Sequence, residues 1–496
     1  MAYDVDDLIS TARKRLEQAR TSDQHNREQA RLDLQFLTLQ QWDESQKTAR
    51  EKQTPPRPCI VADRLTAFWN QVTNEVRRAQ PSPRVAPRGS GATKATAEIM
   101  EGIVRRILYD SDSQLAFTEA AKYAIGSSFG AFRMDPELVN EDTNQHEIRV
   151  SPIYDPSTVY WDPFAKRPDK SDARWCLVVN VISRTEYAER WPDAEQSAGG
   201  FTAKDADVAE WLDPNGDKES VMVAEYWCVE EVGNAVALDK ASDGKMPKSR
   251  GPRKKRVVCH IIDGVQELEE PTERPGKYIP IFQVEGNSVW VNGLRYVLSL
   301  IRGARDPQRI LNWQETRLIE LLAVQSNAPF WLTPKQAEGH EEQLRNAPNQ
   351  NHFYLPYNPD PSAPGPPQRQ NAEVPIAELS QAIAMKAQEL RDIIGLQAPN
   401  LGGAQSSQQS GFAIEQLRTE GDTGTYHFTA NLERTLKHFC RVLMDWIPVY
   451  YDVEQEMRIL KADMTEDLVT VNSQNPVQPA AGGAPYLHDL TQGNYE

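Results

Sequence analysis

Apolar positions recur at helical spacing along the first fifty residues. Leu8, Ala12, Leu16 and Ala19 share one face, as do Ala30, Leu34 and Leu37, which predicts helix over 4–50 until the P-P-R-P stretch at Pro55–Pro58 stops it. A second helix is predicted over 63–79, with Leu65, Phe68, Trp69, Val72 and Val76 on one side and Pro81 and Pro83 beyond its end. Two more follow over 92–110 and 113–127. From Gly130 to about 285 the period shortens. The runs Ile148–Ile153, Trp175–Ile182, Val221–Val229, Val257–Ile262 and Ile279–Val284 are alternating or β-branched and separated by Gly, Pro, Asp and Asn clusters, so this part reads as a strand-rich α+β segment.

From 293 the helical period returns. Leu294, Val297, Leu298 and Ile301 read as the start of an amphipathic helix. Asp306-Pro307 then reads as an N-cap and a first-position proline, opening a helix to about Gln325 with Ile310, Leu311, Leu318, Leu321 and Leu322. Residues 327–373 form a strand-and-loop insert, because seven of the 23 residues from Phe353 to Pro375 are proline and exclude helix there. A further helix spans 375–395 through Ile376, Leu379, Ile383, Leu390 and Ile394. The polar stretch Ala398–Gly411 follows. Last comes the longest helix, 412–447, with Ile414, Leu417, Phe428, Leu432, Leu436, Phe439, Leu443 and Ile447 on one face and Pro448 closing it. Gly421 and Gly424 cost that helix about 1 kcal/mol each relative to alanine, which points to a close contact or a bend. The final L-T-Q-G-N-Y-E resembles the start of a strand, so the sequence reads as a portion of a longer polypeptide.

The 496 residues allow two to four domains. Hydrophobic residues make up 39% and charged ones 25%, a balance that suits an elongated helix-rich subunit or an enzyme with long polar loops equally well. The formal charge of −16 changes the picture more. A tight DNA binder gains affinity by neutralising phosphates and is normally basic, whereas an acidic wall discourages sticking. The five cysteines are scattered without a C-x-x-C pair, which argues against a disulfide framework or a structural zinc site. Met1–Leu16 is polar and acidic and shows no signal peptide, and no apolar run reaches the roughly 18–20 residues of a bilayer span. The expectation is a soluble protein made in a reducing cytoplasm.

No phosphate loop, G-x-G-x-x-G, H-E-x-x-H or G-x-S-x-G is present, so no catalytic residue, metal ligand or cofactor is expected. His340, Glu341 and Glu342 read as a solvated charged loop, and Asp4, Asp6 and Asp7 as a helix N-terminus favoured by the macrodipole. The basic run K-S-R-G-P-R-K-K-R holds Lys248, Arg250, Arg253, Lys254, Lys255 and Arg256. It is either a contact for nucleic acid or an acidic partner, or a solvated hairpin loop between strands ending at Val229 and beginning at Val257.

The order helix, proline-rich insert, helix, polar loop, long helix resembles the portal (head–tail connector) proteins of tailed double-stranded DNA phages, above all those of short-tailed phages. Five collinear motifs over about 30–460 carry the likeness: D-L-Q-F-L-T-L-Q-Q-W (Asp33–Trp42) followed by Arg57-Pro58, F-W-N-Q-V-T-N-E-V-R-R (Phe68–Arg78), Y-D-P-S-T-V-Y-W-D-P-F-A-K-R-P-D-K-S-D-A-R-W (Tyr154–Trp175), D-P-Q-R-I-L-N-W (Asp306–Trp313) and S-G-F-A-I (Ser410–Ile414). Thr38 stands where such sequences often have glycine, which leaves the helix end there open.

The resemblance implies an α+β portal fold. Residues 1–292 would be the wing (helical over 1–128, strand-rich over 130–285), 293–326 and 373–397 the two stem helices, and 327–372 the clip. Residues 398–411 would be the channel (tunnel) loop, 412–450 the long helix, and 451–496 the start of a crown. It implies a homo-oligomeric ring, a dodecamer, at the portal vertex of the virion, assembled in the host cytoplasm. Double-stranded DNA would transit it weakly bound. Terminase, a head–tail adaptor, scaffold and major capsid proteins would be its partners, with no membrane. Gln405, Ser406, Ser407, Gln408 and Gln409 would face DNA, short polar groups suited to sliding. Arg309, Arg317, Lys386 and Arg391 would lie between subunits or toward the channel, and Phe353, Tyr354, Tyr357 and Arg369 would dock partners at the clip. Another ring-forming head–tail adaptor, or a DNA-processing enzyme, is the alternative.

Overall fold

The computed structural model describes residues 5–54, 56–78, 83–88, 92–140, 143–194, 201, 220–232, 254–326, 330–347, 354–362, 365–369, 376–395, 424–461, 463, 465–473, 489–490 and 494–495. The chain is a mixed α+β protein. In order, its elements are α1 (Val5–Leu37), α2 (Glu44–Glu51), α3 (Leu65–Arg78), β1 (Pro87–Arg88), α4 (Lys94–Asp110), α5 (Ser113–Ser127), β2 (Phe129–Asn140), β3 (Thr143–Ile153), β4 (Val159–Trp161), β5 (Trp175–Ser183), α6 (Arg184–Arg190), β6 (Ser220–Val232), β7 (Lys254–Ile262), β8 (Thr272–Arg274), β9 (Ile281–Glu285), β10 (Asn287–Val291) and β11 (Leu294–Leu298). There follow α7 (Arg305–Ser326), β12 (Phe330–Trp331), α8 (Pro334–Ala337), α9 (Glu341–Asn346), β13 (Gln368–Arg369), α10 (Ile376–Ile394), α11 (Tyr426–Tyr450), β14 (Gln455–Leu460), β15 (Glu466–Val471) and β16 (Asn494–Tyr495). They group into two compact units: Met1–Asp33 with Trp69–Leu300 and Thr425–Glu496, and Leu34–Phe68 with Ile301–Gly424.

The first unit is built on two antiparallel sheets, one in the order β4-β5-β6-β7-β8 and one in the order β3-β2-β9. Strand β5 shows why the five-stranded sheet is apolar on both faces. Trp175, Leu177 and Val179 join Leu8, Ala12, Leu16 and Ala19 of α1 in one cluster, and Cys176 and Val178 point the other way into a second cluster with Trp227, Val257 and Ile281. Side chains alternate along a strand, so a strand covered on both faces reads as an unbroken apolar run. Burial pushes the Cys176 and Cys259 thiols well above their ordinary range, and these cysteines act as small apolar core residues.

The three-stranded sheet carries α5 and α11 through an aromatic cluster of Phe117, Phe132, Phe282 and Phe439, whose ring centroids lie 5.0–5.8 Å apart. Such pairs add about 0.5–1.5 kcal/mol each beyond area burial. Gly130 lets β2 approach α5, because a Cβ there would stand 1.9 Å from the Ala120 carbonyl oxygen. Arg133 lies between Asp135 and Glu225, 2.9 Å from the latter. Burial works against its charge, but these carboxylates outweigh it and raise the guanidinium's pKa.

The second unit gathers α2, α7 and α10. Phe330 pairs with Arg369 beyond the end of α7 and before the start of α10, and Ile393 near the end of α10 packs 3.5 Å from where a Gly303 Cβ would stand, just before α7 begins. The two helices therefore run antiparallel. A buried polar chain holds α7 to residues 41–63. Gln308 donates to the Ala62 carbonyl and to Asn312, and Asn312 donates to Gln41, which in turn donates to Asp63.

Several sequence expectations are corrected. Helix over 4–50 is broken: α1 ends at Leu37, where the Thr38 hydroxyl donates to the Leu34 carbonyl and Leu39 takes φ 65°, and α2 starts anew at Glu44. Residues 294–298 are strand, not helix, forming a hairpin with β10 through Asn292 and Gly293 at φ 51° and 81°. Both positive φ values match the turn type that suits a two-residue hairpin. Helix α7 starts at Arg305, which puts Asp306 and Pro307 inside its first turn. Pro448 lies within the last turn of α11, which continues to Tyr450. His340–Glu342 opens the short helix α9 instead of a loop.

Candidate assembly surfaces

Helix α10 is amphipathic by sequence, yet only Leu390 and Ile394 of its 19 residues are buried. Met385 and Ile393 stay exposed on it, as do Ile310, Trp313, Ile319 and Leu322 on α7. That many exposed apolar side chains on two packed helices call for a covering surface. Charges sit beside them. Arg309 pairs with Asp306 and Asp43 and lies over the Phe36 ring, Arg317 pairs with Glu320 at 3.3 Å, and Lys386 pairs with Glu389 at 2.5 Å. Glu320 also meets Arg50, which stacks against Trp42 and Trp313. Arg391 is half-buried near the end of α10. Gly424 approaches Gly395 so closely that a Cβ would lie 3.2 Å from its carbonyl oxygen, but it stands before α11, which opens at Tyr426 after Thr425, and not inside the long helix as the period predicted. Gly421 lies outside the described residues.

In the insert, Thr333 caps α8 and donates to Asp360, whose carboxyl is held at about 2 by hydrogen bonds from Ser362 and Thr333. Tyr354 is 81% exposed and Tyr357 43%, while Arg369 pairs through its backbone with Phe330. Phe353 lies outside the described residues, as do Gln405, Ser406, Ser407, Gln408 and Gln409 and the first part of the helix expected over 412–447. So do Lys248, Arg250 and Arg253 of the basic run. Lys254, Lys255 and Arg256 open β7, which pairs with β6 from Val232↔Lys254 through Val229↔Val257. Arg256 is tied to Glu230 at 2.6 Å across that ladder.

The motif Tyr154–Trp175 contains strand β4 and folds around its own aspartates. Asp155 accepts from the Ser157 amide, Asp162 from the Phe164 and Arg174 amides, and Asp172 from the Lys166 and Arg167 amides. Lys170, at φ 55°, reaches Glu285, which is 2% exposed and also accepts from Gln283 and Arg295. The carboxylate of Glu285 thus joins the motif, β9 and the β10–β11 hairpin.

Two surfaces escaped sequence reasoning. One is that hairpin, although the Asn292-Gly293 pair between alternating apolar residues was a signal for it. The other is a groove of about 1100 Å³ in the first unit, floored by Leu108, Phe117, Leu436 and Met444. Among the described residues, no group of three His, Cys, Asp or Glu side chains could hold a metal ion, and no helix is long and apolar enough to cross a membrane.

Comparison with known proteins agrees with the motif order. The family model described as phage P22-like portal protein matches residues 13–496. A portal protein of Acyrthosiphon pisum secondary endosymbiont phage 1 is 24% identical over 481 residues, covering 88% of this chain. The chain spans 65% of the length of that relative. With nearly every described element inside the matched range, the chain belongs to the phage P22-like portal protein family.

Proposed function

We propose that this chain is the subunit of a portal vertex: a homo-oligomeric ring of twelve copies through which double-stranded DNA enters and leaves the phage head. Helices α7 and α10 are its stem, residues 327–372 its clip, 398–411 its channel loop, and the first unit its wing with the start of a crown. Terminase docks at the clip during packaging and a head–tail adaptor replaces it, with the ring seated among capsid and scaffold proteins. Subunits assemble in the host cytoplasm and end in the virion. The protein works as a structural conduit and not as an enzyme. The formal charge of −16 per copy supports a wall that DNA slides past.

The observation that carries this reading is the 19-residue helix α10 with two buried residues, beside four exposed apolar side chains of α7. Such a pair is under-buried in one copy and becomes covered when copies stand side by side. Replacing Ile319 and Met385 together with glutamate puts charge on that seam. The double variant is expected to keep its circular dichroism spectrum and to require at least about tenfold more protein to form rings, since two buried apolar contacts are worth about 1.5–3 kcal/mol each. Unchanged assembly on native mass spectrometry would remove the seam from the account.

A further inference from the structure

We propose that the β10–β11 hairpin of one copy inserts into the groove beside α11 of the next, forming a second contact of the ring. The inference rests on the ring reading and names a pair of surfaces for it. In a closed cyclic ring every interface is heterologous, so each subunit carries two different, complementary patches. The first unit displays an apolar protrusion and an apolar-floored concavity.

The protrusion is built to stay extended. Asn26 of α1 accepts from the Val297 amide at 3.1 Å and donates to the Arg295 carbonyl at 2.8 Å. Arg295 is paired with buried Glu285 and lies 5.9 Å from the Trp290 ring centroid, which holds one face of that ring. Beyond this base Val289, Trp290, Val291 and Leu294 remain 46–55% exposed. The hairpin is a two-stranded sheet by itself, with no other strand on either edge among the described residues. Exposed edges are usually blunted by charge, yet only Arg295 is charged here, and it is committed to Glu285.

The concavity offers what such a tip needs. Its floor of leucine, phenylalanine and methionine is rimmed by the exposed cations Arg84, Lys437 and Arg441. An apolar centre inside a polar rim is the anatomy of protein interfaces, and the free face of Trp290 suits a rim cation. Both surfaces hang on one helix: Asn431 of α11 donates to the Glu285 and Gly286 carbonyls at the hairpin base, and Leu436–Asp445 of the same helix line the groove. The angle between protrusion and groove is therefore fixed within a copy, as ring closure requires.

The test uses the full chain with a benzophenone amino acid at Val291, illuminated after assembly, and a Trp290→Ser variant. Cross-links are expected between copies, mapping by mass spectrometry to residues 433–445. Trp290→Ser is expected to keep its melting temperature and raise the protein concentration needed for rings about tenfold, the effect of a modest tryptophan hot spot. Rings that form normally in Trp290→Ser, with cross-links elsewhere or within one copy, would overturn the hairpin contact and leave the ring reading standing. A parent chain that stays monomeric at every concentration would overturn both.

Discussion

Replacing Glu285 with alanine is expected to destabilise the first unit by about 3–5 kcal/mol, the usual cost of leaving buried charges without their partner. Its carboxylate is nearly sealed from solvent and faces two cations, Lys170 at 3.1 Å and Arg295, whose own side chains are only 11% and 10% exposed. Without it the ammonium and guanidinium repel each other where little water reaches them. The loss spreads because the three partners belong to different segments: the Tyr154–Trp175 turn, β9 and the hairpin. Urea denaturation followed by tryptophan fluorescence reads this directly. Glu137→Ala is the control. Glu137 meets Arg149 at 3.7 Å with its side chain 68% exposed, and a surface pair of that kind is worth at most about 1 kcal/mol. Equal effects of the two substitutions would mean that Glu285 is not the joint described here.

Acid should weaken the fold through His438. Its ring is 2% exposed, set edge-on to Tyr278 and Phe282, with Nδ1 buried and unpartnered. Burial lowers its pKa from 6.5 to about 4, with Asp169 opposing and Arg441 and Arg167 reinforcing. Between those values the unfolded chain takes up a proton that the folded one refuses. Stability is therefore full above pH 6.5 and falls as pH drops toward 4. The loss amounts to about 3 kcal/mol at the lower end. Carboxylates titrate nearby, so the informative quantity is the difference between the parent protein and His438→Phe, which keeps the aromatic contacts. The variant should lose less stability than the parent on going from pH 7 to pH 4. Parallel losses would show that His438 does not contribute.

Periodicity alone located α3, α4, α5 and α10 to within about two residues, because each has an apolar stripe and a proline, a cap or a turn residue at its ends. Three strands of the five-stranded sheet, β5, β6 and β7, were equally legible as β-branched runs, whereas the three-residue strands β4 and β8 were too short to show a period. The hairpin was not. Leu294, Val297, Leu298 and Ile301 have helical spacing, but Gly293 and its Asn292 partner impose a turn that local period cannot register. The break after Leu37 was hidden for a related reason, since Thr38 bonds back to its own helix and Leu39 adopts a conformation without a sequence signature.

The candidate assembly surfaces were partly legible. Arg309, Arg317 and Lys386 could be named from sequence as charges of α7 and α10, and within one copy each forms an i,i+3 pair with its own helix. That Asp155, Asp162 and Asp172 serve the backbone of their own turn could not, because an aspartate that accepts backbone amides and one that meets a partner look alike in sequence. The groove combines residues from α4, α5, α11 and the chain around Arg84, far apart in sequence, so no local pattern announces it.

The central claim is that this chain closes into a ring. Electron microscopy of the purified protein across a concentration series, with particle mass measured in parallel, tests it most directly. The account predicts closed rings of about twelve copies with a central hole wide enough for duplex DNA. A compact two-fold particle without a channel at every concentration would contradict it.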